Sequence, residues 1–287
     1  MKASVGLWTG SLAVLSSAVD SILDIASSTI NYFAVRMAEQ PPDDKHPYGH
    51  SKFEPLAAQI QSFIILFSGL YILYKAYNNY HEHTQLAHMA SSIWVMIFSM
   101  TVTFFLVRFL NKVAKAENSA VIEADSLHYA MDLLTNGGVL AALVAIKITG
   151  MHVIDAIVSA AIAVYIIFSA LKLNFSVTRE LLDEVLPENE LQTINEVLKL
   201  HEHEIVEVHK LRTRKAGARK FVDMHLVLWK GMSLKEGNDL RNDIENRIKR
   251  TLGNTDVNIY IEPCKDGMCD ECRVCDKYGR KNTGRLQ

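Results

Sequence analysis

The sequence predicts a bundle of transmembrane α-helices followed by a small α+β domain. Five apolar segments each reach the roughly 20 residues that cross a bilayer core. After Arg179 the composition changes to a charged, soluble pattern. The segment that follows alternates between helical and strand periodicity, which is typical of a two-layer domain. We therefore expect three regions: a transmembrane domain over 1–178, an α+β domain over 179–263 and a cysteine-rich tail over 264–287.

The apolar segments are expected to pack together as membrane-spanning helices. Several of them carry Ser, Thr, Asn, Gln and Asp on one face, which suits helices that line a polar path. The N-terminus lacks the cationic region and cleavage site of a signal peptide, so we expect the first segment to stay in the protein. The five segments run over residues 9–35, 54–77, 90–110, 120–147 and 153–174.

The basic residues of the connecting loops orient this bundle. Arg and Lys are concentrated in the first connection (36–52) and the third (108–115), whereas the second and fourth carry only Lys75 and Lys147. Because cytoplasmic loops are enriched in basic residues, the first and third connections and the soluble domain are expected in the cytoplasm. An odd number of spans then places the N-terminus outside.

The soluble region has the predicted order α-β-β-α-β. Residues 187–200 form the first helix, with Pro187 near its first turn. Residues 205–214 and 220–229 alternate as two strands, joined by a turn that contains Gly217. Ser233 caps a second helix that ends near Leu252, and residues 256–263 form the third strand. This order predicts a small two-layer α+β domain.

Composition narrows the functional classes. The 287 residues are 49% hydrophobic, with a mean hydropathy of +0.09 and a net charge of −2. These averages suit a protein that is half membrane and half soluble, and they argue against a nucleic-acid partner. The sequence contains no HExxH, GxSxG or comparable motif, so we expect no enzymatic activity.

Two pairs of ionisable residues lie inside predicted spans. Asp20 and Asp24 form one pair, and His128 and Asp132 form the other. The four-residue spacing puts both members of a pair on one helix face. Ionisable groups within membrane helices are costly and mark ion pathways, although a single Asp can also cap a kink or bond a neighbouring helix. Brought together, these four residues, which we call the quartet, would form a tetrahedral site for a divalent transition metal.

The chemistry of the quartet couples metal to protons. Neighbouring carboxylates cannot all stay ionised without a cation, so their proton affinity rises. Metal binding would therefore displace protons, with His128 as the natural proton carrier. One imidazole among carboxylates favours Zn²⁺, Fe²⁺, Co²⁺ and Cd²⁺ over Mg²⁺ and Ca²⁺. The sequence thus indicates a divalent metal/proton antiporter, and the alternative is a membrane-anchored sensor or scaffold that binds metal without moving it.

The first cytoplasmic loop contains a second set of ligand types. Asp43, His46 and His50 lie within eight residues, and prolines and Gly49 shape a turn around them. Carboxylate oxygen and imidazole nitrogen are zinc ligands, so we expect a metal site here. The alternative is a solvated turn with incidental histidines.

The soluble domain offers a third set. His209 and His225 lie on adjacent predicted strands, and Glu262 lies on the third strand. If Glu262 faces the same edge, the three could hold a regulatory metal between subunits, although strand histidines are more often hydrogen-bonded. His201 and His203 of the HEHE run are expected at the surface.

The cysteines all lie in the tail and form a fourth set. Cys264, Cys269, Cys272 and Cys275 fall within twelve residues, and the apolar part of the chain contains no cysteine. Such density is typical of thiolate metal ligation in a reducing compartment rather than of disulfides. We expect thiolate-bound Zn²⁺, and an iron–sulfur cluster is an alternative.

These motifs together resemble the cation diffusion facilitator family of proton-coupled metal exporters. The resemblance rests on TGS…VDSILDIASSTIN, DDKHPYGHSKFE, HYAMDLLTNGG and LLDEVLP, and it extends to Pro263. It implies a homodimer of six-helix protomers in a prokaryotic cytoplasmic membrane, each with a cytoplasmic, metallochaperone-like αββαβ domain. It also implies that the quartet is the zinc/iron-type transport site, that Asp43, His46 and His50 form a loop site, and that His209 and His225 contribute to an inter-subunit site.

The sequence departs from the family pattern in three places. MKASVGLWTGS resembles only the end of the family's first helix, so either the start is truncated or the protein is a five-helix variant. Tyr260 stands where the family often has a histidine ligand, and Glu262 stands where it often has aspartate. The cysteine-rich tail lies beyond the family's common core.

Overall fold

The computed structural model describes residues 27–82, 93–117, 119–149, 151 and 153–265. The chain divides into two compact units, Met1–Leu181 and Leu182–Gln287. The first unit is helical and the second combines helices with a three-stranded sheet. This architecture confirms the predicted fold class of an apolar helical bundle with a small α+β domain.

The first unit contains long apolar helices. In the described residues three segments are long and apolar enough to cross a membrane: Phe53–Asn78, Ala120–Ile146 and Val153–Leu181. The predicted first span is described only from residue 27, as the helical residues 27–38. The helices are α1 (27–38), α2 (Phe53–Glu82), α3 (Ile93–Glu117), α4 (Ala120–Thr149) and α5 (Val153–Leu181).

Helices α2 and α5 pack closely because small residues line their contact. A side-chain carbon added at Gly69 would lie 2.8 Å from Ile166 Cγ2 and 3.4 Å from the backbone nitrogen of Ile167. Ala163 and Ala170 of α5 are fully buried. Small residues of this kind let helix backbones approach within a membrane, where burial of apolar surface from water supplies no attraction. Large apolar side chains such as Phe67 and Phe168 point outward instead.

Polar side chains connect the helices of this unit. Ser27 Oγ of α1 donates to Gln61 Oε1 of α2 at 3.1 Å. Asn174 Nδ2 of α5 donates to Ser62 Oγ at 3.0 Å, and one turn further along Thr178 Oγ1 donates to Gln59 Oε1 at 3.1 Å. Polar groups satisfy one another within the bundle because lipid offers them no partners.

The second unit has the predicted order of elements. Its helices are α6 (Glu188–Leu200) and α7 (Leu234–Leu252), and its strands are β1 (Ile205–Ala216), β2 (Arg219–Leu228) and β3 (Thr255–Pro263). The sheet order is β1-β2-β3, with β1 antiparallel and β3 parallel to β2. Gly217 turns the β1–β2 hairpin at φ 58°, a backbone conformation that glycine adopts without steric cost.

The helices of this unit cover one face of its sheet. Ile194 of α6 and Ile244 and Ile248 of α7 are fully buried against Val222 and Leu226 of β2. Ser233 caps α7 as predicted: its hydroxyl accepts from the backbone of Glu236, and the Glu236 carboxylate accepts from the backbone of Ser233. Since the core occupies one face, polar side chains of the opposite face are free to form a site.

Candidate metal sites

Half of the predicted quartet lies in the described structure. His128 and Asp132 occupy successive turns of α4; His128 is half-buried and its ring packs edge-on against Tyr129, whereas Asp132 is exposed. Asp20 and Asp24 lie outside the described residues. The quartet therefore stays a prediction, with its α4 pair held on a regular helix.

One turn before His128, the structure reveals a pair that the sequence reasoning missed. Asn31 Nδ2 of α1 donates to Asp125 Oδ1 of α4 at 3.0 Å. The spacing of three residues between Asp125 and His128 was the available signal, because it places both on one helix face.

The loop residues Asp43, His46 and His50, which we call the loop cluster, lie together. A ligand atom of each lies within 4.8 Å of those of the other two. Asp43 Oδ1 is 3.2 Å from His46 Nδ1, and Asp43 Oδ2 is 3.4 Å from His50 Nε2. The ligand atoms of a tetrahedral Zn²⁺ site are about 3.4 Å apart. Small side-chain movements would therefore bring these three residues into position as three ligands of such a site.

The backbone of the turn holds the carboxylate of the loop cluster. The N–H groups of Lys45 and His46 donate to Asp43 Oδ1 at 2.9 and 2.6 Å. The hydrogen bond from the His46 backbone is the main reason that the pKa of Asp43 lies below its ordinary value. His50 is 8% exposed and its Nδ1 is buried without a hydrogen-bond partner in the described part of the chain. The cluster thus presents an ionised carboxylate beside two imidazoles.

His209, Glu262 and His225, which we call the sheet cluster, come from all three strands. His209 faces His225 across the β1–β2 ladder, and their ring centres are 5.3 Å apart. Glu262 Oε1 is 2.6 Å from His225 Nδ1, and Glu262 Oε2 is 3.4 Å from His209 Nε2. A register shift follows His209, where Lys210 has a φ of 52°. Bulges of this kind redirect side chains next to functional sites.

The surroundings of the sheet cluster orient its ligands. Glu207 Oε1 lies 3.5 Å from His209 Nδ1, so the second ring nitrogen faces a carboxylate, as in many zinc-bound histidines. The hydrogen bond from His225 is the main cause that lowers the pKa of Glu262. Tyr260, which stands where the family often has a histidine ligand, is 62% exposed, with its ring centre 5.2 Å from that of His225. The site therefore offers two nitrogens and one carboxylate.

Cys264 occupies a defined position at the end of β3. It is 5% exposed; its backbone N–H donates to the carbonyl of Leu228, and its Sγ accepts from the backbone N–H of Lys230 at 3.4 Å. Cys269, Cys272 and Cys275 lie outside the described residues. Metal ligation by the tail stays a prediction.

The expected surface position of the HEHE histidines is correct for His203 and wrong for His201. The side chain of His203 is 72% exposed, whereas that of His201 is only 11% exposed. His201 lies between Glu204, 3.3 Å from its Nδ1, and Asp243, 3.2 Å from its Nε2. Packing of α7 against the end of α6 covers most of the His201 side chain, which local periodicity does not reveal.

Known proteins similar to this chain are metal transporters. The family described as "cation efflux transmembrane domain" matches residues 1–182, and the family described as "cation efflux protein, cytoplasmic domain" matches residues 186–264. The cation-efflux pump FieF of Pectobacterium atrosepticum is 35% identical over 92% of this chain and 87% of its own length. FieF of Salmonella paratyphi A is 34% identical over 96% of this chain and 88% of its own length.

A solved structure of CzrB in its zinc form is 32% identical, and the match covers 28% of this chain and 92% of that chain. Its TM-score is 0.27. The two family matches together span nearly all of the residues up to Cys264. The chain therefore belongs to the cation efflux, or cation diffusion facilitator, family: it is an integral protein of the bacterial inner membrane with a cytoplasmic C-terminal domain, and it is a metal efflux transporter rather than an enzyme.

Proposed function

We propose that this protein exports Zn²⁺, Fe²⁺ or a similar divalent transition metal from the cytoplasm in exchange for protons, as a homodimer. The observation that supports this metal class is the composition of the two described clusters. Each combines two imidazoles with one carboxylate whose atoms lie within 4.8 Å. Imidazole ligands favour Zn²⁺ and similar divalent transition metals over Mg²⁺ and Ca²⁺, which prefer oxygen ligands. Cd²⁺ and Co²⁺ would fit the same ligands.

The proposed transport site is the quartet of Asp20, Asp24, His128 and Asp132. His128 and Asp132 occupy one face of α4, inside a segment apolar enough to span the membrane. Metal arriving from the cytoplasm would displace protons from these groups, and protons from the outer side would displace the metal after the helices rearrange. Excess charge is costly in a low-dielectric site. Binding of the metal ion and binding of the protons therefore exclude each other.

The cytoplasmic clusters are proposed to regulate this cycle. The residues of the sheet cluster fit a zinc ion, because Glu262 already bridges His209 and His225 through contacts of 2.6 and 3.4 Å. A bound ion would replace these contacts with metal–ligand bonds and rigidify the sheet surface. If this surface forms the dimer contact, metal would favour the transport-competent arrangement by differential binding.

Proteoliposomes that contain the full-length protein provide the test. We expect a Zn²⁺ gradient to drive proton counterflow, and Asp24→Ala or Asp132→Ala to reduce both fluxes by about a hundredfold or more, since each removes a charged ligand of the proposed transport site. Asp155→Asn is the matched control, because it neutralises a carboxylate of α5 outside the quartet. Retained metal binding without any flux in the unaltered protein would favour the sensor or scaffold over the antiporter.

A further inference from the structure

The contact between Asn31 and Asp125 has an unusual feature. Asn31 is 7% exposed, and its Nδ2 donates to Asp125 Oδ1 at 3.0 Å. The other end of the same amide, Asn31 Oδ1, is buried and has no hydrogen-bond partner among the residues that the structure describes. A buried amide oxygen without a partner is unfavourable, so a contact that served only to join two helices would be expected to satisfy both ends.

The position of this pair relates it to the metal path. Asp125 precedes His128 by three residues and Asp132 by seven, so all three occupy one face of α4. At 1.5 Å per residue, Asp125 lies about 4.5 Å along the helix axis from His128. Because the C-terminal domain is cytoplasmic, α5 ends and α4 begins on the cytoplasmic side. Asp125 is thus on the cytoplasmic side of the quartet.

Asn31 has the same relation to the predicted ligand pair of the first span. Asn31 follows Asp24 by seven residues in the predicted first span, which corresponds to two turns of one helix face. Two oxygen-bearing side chains, one on each ligand-carrying helix, therefore meet between the cytoplasm and the quartet.

We propose that Asp125 and Asn31 form a staging subsite that takes a divalent cation from the cytoplasm and passes it to the quartet. This proposal rests on the proposed function as a metal exporter. The Asp125 carboxylate would bind the ion, and rotation of the Asn31 amide would replace Nδ2 by Oδ1 as a second oxygen ligand. A subsite of carboxylate and amide oxygens holds Zn²⁺ less tightly than one with imidazole, so the ion can move on.

Zn²⁺ flux into proteoliposomes tests the subsite through its dependence on Zn²⁺ concentration at the cytoplasmic face. Asp125→Asn removes the charge without changing the shape, and we expect KM to rise about tenfold while the maximum rate stays within about twofold. Asn31→Asp adds a second carboxylate, and we expect the opposite shift, with KM lowered about threefold. Asp125→Glu retains the charge and should keep KM within about threefold of the unaltered protein.

Tyr129→Phe is the matched control, because it removes a different polar contact between the same two helices. The hydroxyls of Ser28 and Tyr129 lie 3.5 Å apart. We expect this variant to transport with unchanged KM, which would show that loss of a helix contact alone does not weaken Zn²⁺ uptake.

Several results would overturn the staging subsite. An unchanged KM in Asp125→Asn, an increased KM in Asn31→Asp, or an equal effect of Tyr129→Phe would show that the pair only joins helices. Equilibrium Zn²⁺ binding to the detergent-solubilised variants shows whether the quartet is still formed. A wild-type protein that moves no Zn²⁺ would overturn the proposed function and the subsite together, whereas normal wild-type flux with an unaffected Asp125→Asn would overturn the subsite alone.

Discussion

The loop cluster and the sheet cluster contain the same kinds of ligand but are built in opposite ways. In the loop cluster, backbone N–H groups of a tight turn hold Asp43 in place. In the sheet cluster, Glu262 is held by the side chains of His225 and His209, which reach it from two other strands. The comparison indicates that a local site can lose one ligand and keep its carboxylate positioned, whereas the sheet site depends on its ligands to orient one another.

The largest expected difference concerns loss of one histidine. We expect His225→Ala to weaken Zn²⁺ binding at the sheet cluster by more than about a hundredfold, because the change removes a ligand and also releases Glu262. His46→Ala should weaken the loop cluster by only about tenfold, because Asp43 keeps its backbone donors. Competition with a chelator of known affinity measures the Zn²⁺ affinity of both clusters. His203→Ala removes an exposed histidine of the same domain and should change neither affinity. Equal losses at the two clusters would contradict the comparison.

A smaller effect is expected from the carboxylate behind His209. Glu207 lies 3.5 Å from His209 Nδ1, and a carboxylate at the second ring nitrogen orients the ligand and raises its basicity. Glu207→Gln should therefore weaken Zn²⁺ binding at the sheet cluster by about tenfold while leaving the loop cluster unchanged. The same chelator competition provides the measurement, with Glu202→Gln as a control in the preceding turn. Unchanged affinity would show that Glu207 does not support the site.

The smallest effect is a change in acid titration of the metal-free protein. The pKa values of Asp43 and Glu262 both lie below their ordinary values, the first mainly through a backbone donor and the second mainly through the His225 side chain. His225→Phe should therefore raise the pKa of Glu262 toward its ordinary value, whereas His46→Phe should leave most of the lowering at Asp43.

The sign of the accompanying stability change follows from linkage. A carboxyl group with a lowered pKa in the folded state stabilises the protein above its unfolded pKa, and this stability is lost as the pH falls through the folded pKa. In His225→Phe, Glu262 should therefore contribute less stability at neutral pH. Less stability should accordingly be lost when the pH is lowered. Carboxyl chemical shifts followed during an NMR titration provide the measurement, and an unchanged Glu262 titration would show that His225 is not the cause.

Local sequence patterns were sufficient to predict the helices and strands and to predict the loop cluster. The apolar run of residues 54–77 and the alternation of residues 220–229 each correspond to one observed element, because hydropathy and strand period are properties of the chain itself. Asp43, His46 and His50 are close in sequence, and the turn between them leaves few arrangements that separate their side chains.

Longer-range relations were predicted only in part. Assigning His209, His225 and Glu262 to three strands suggested a site, but the register and the bulge after His209 decide whether the side chains meet. His201 was expected at the surface, but its side chain is only 11% exposed, because the packing of α7 brings Asp243 to its ring. The contact between Asn31 and Asp125 depends on two helices whose residues are 94 positions apart, and no local pattern contains it.

The sequence by itself determined the membrane-spanning character of the N-terminal part, the α-β-β-α-β order of the cytoplasmic domain and the types of ligand available to a metal. These follow from hydropathy, periodicity and side-chain chemistry, which act within a few residues. Only the tertiary structure decided which ligands lie within bonding distance, which carboxylates are held by backbone and which by histidine, and which buried oxygen has no partner among the described residues. Those outcomes depend on helix packing and strand register, where a shift of one residue turns a side chain toward the opposite face.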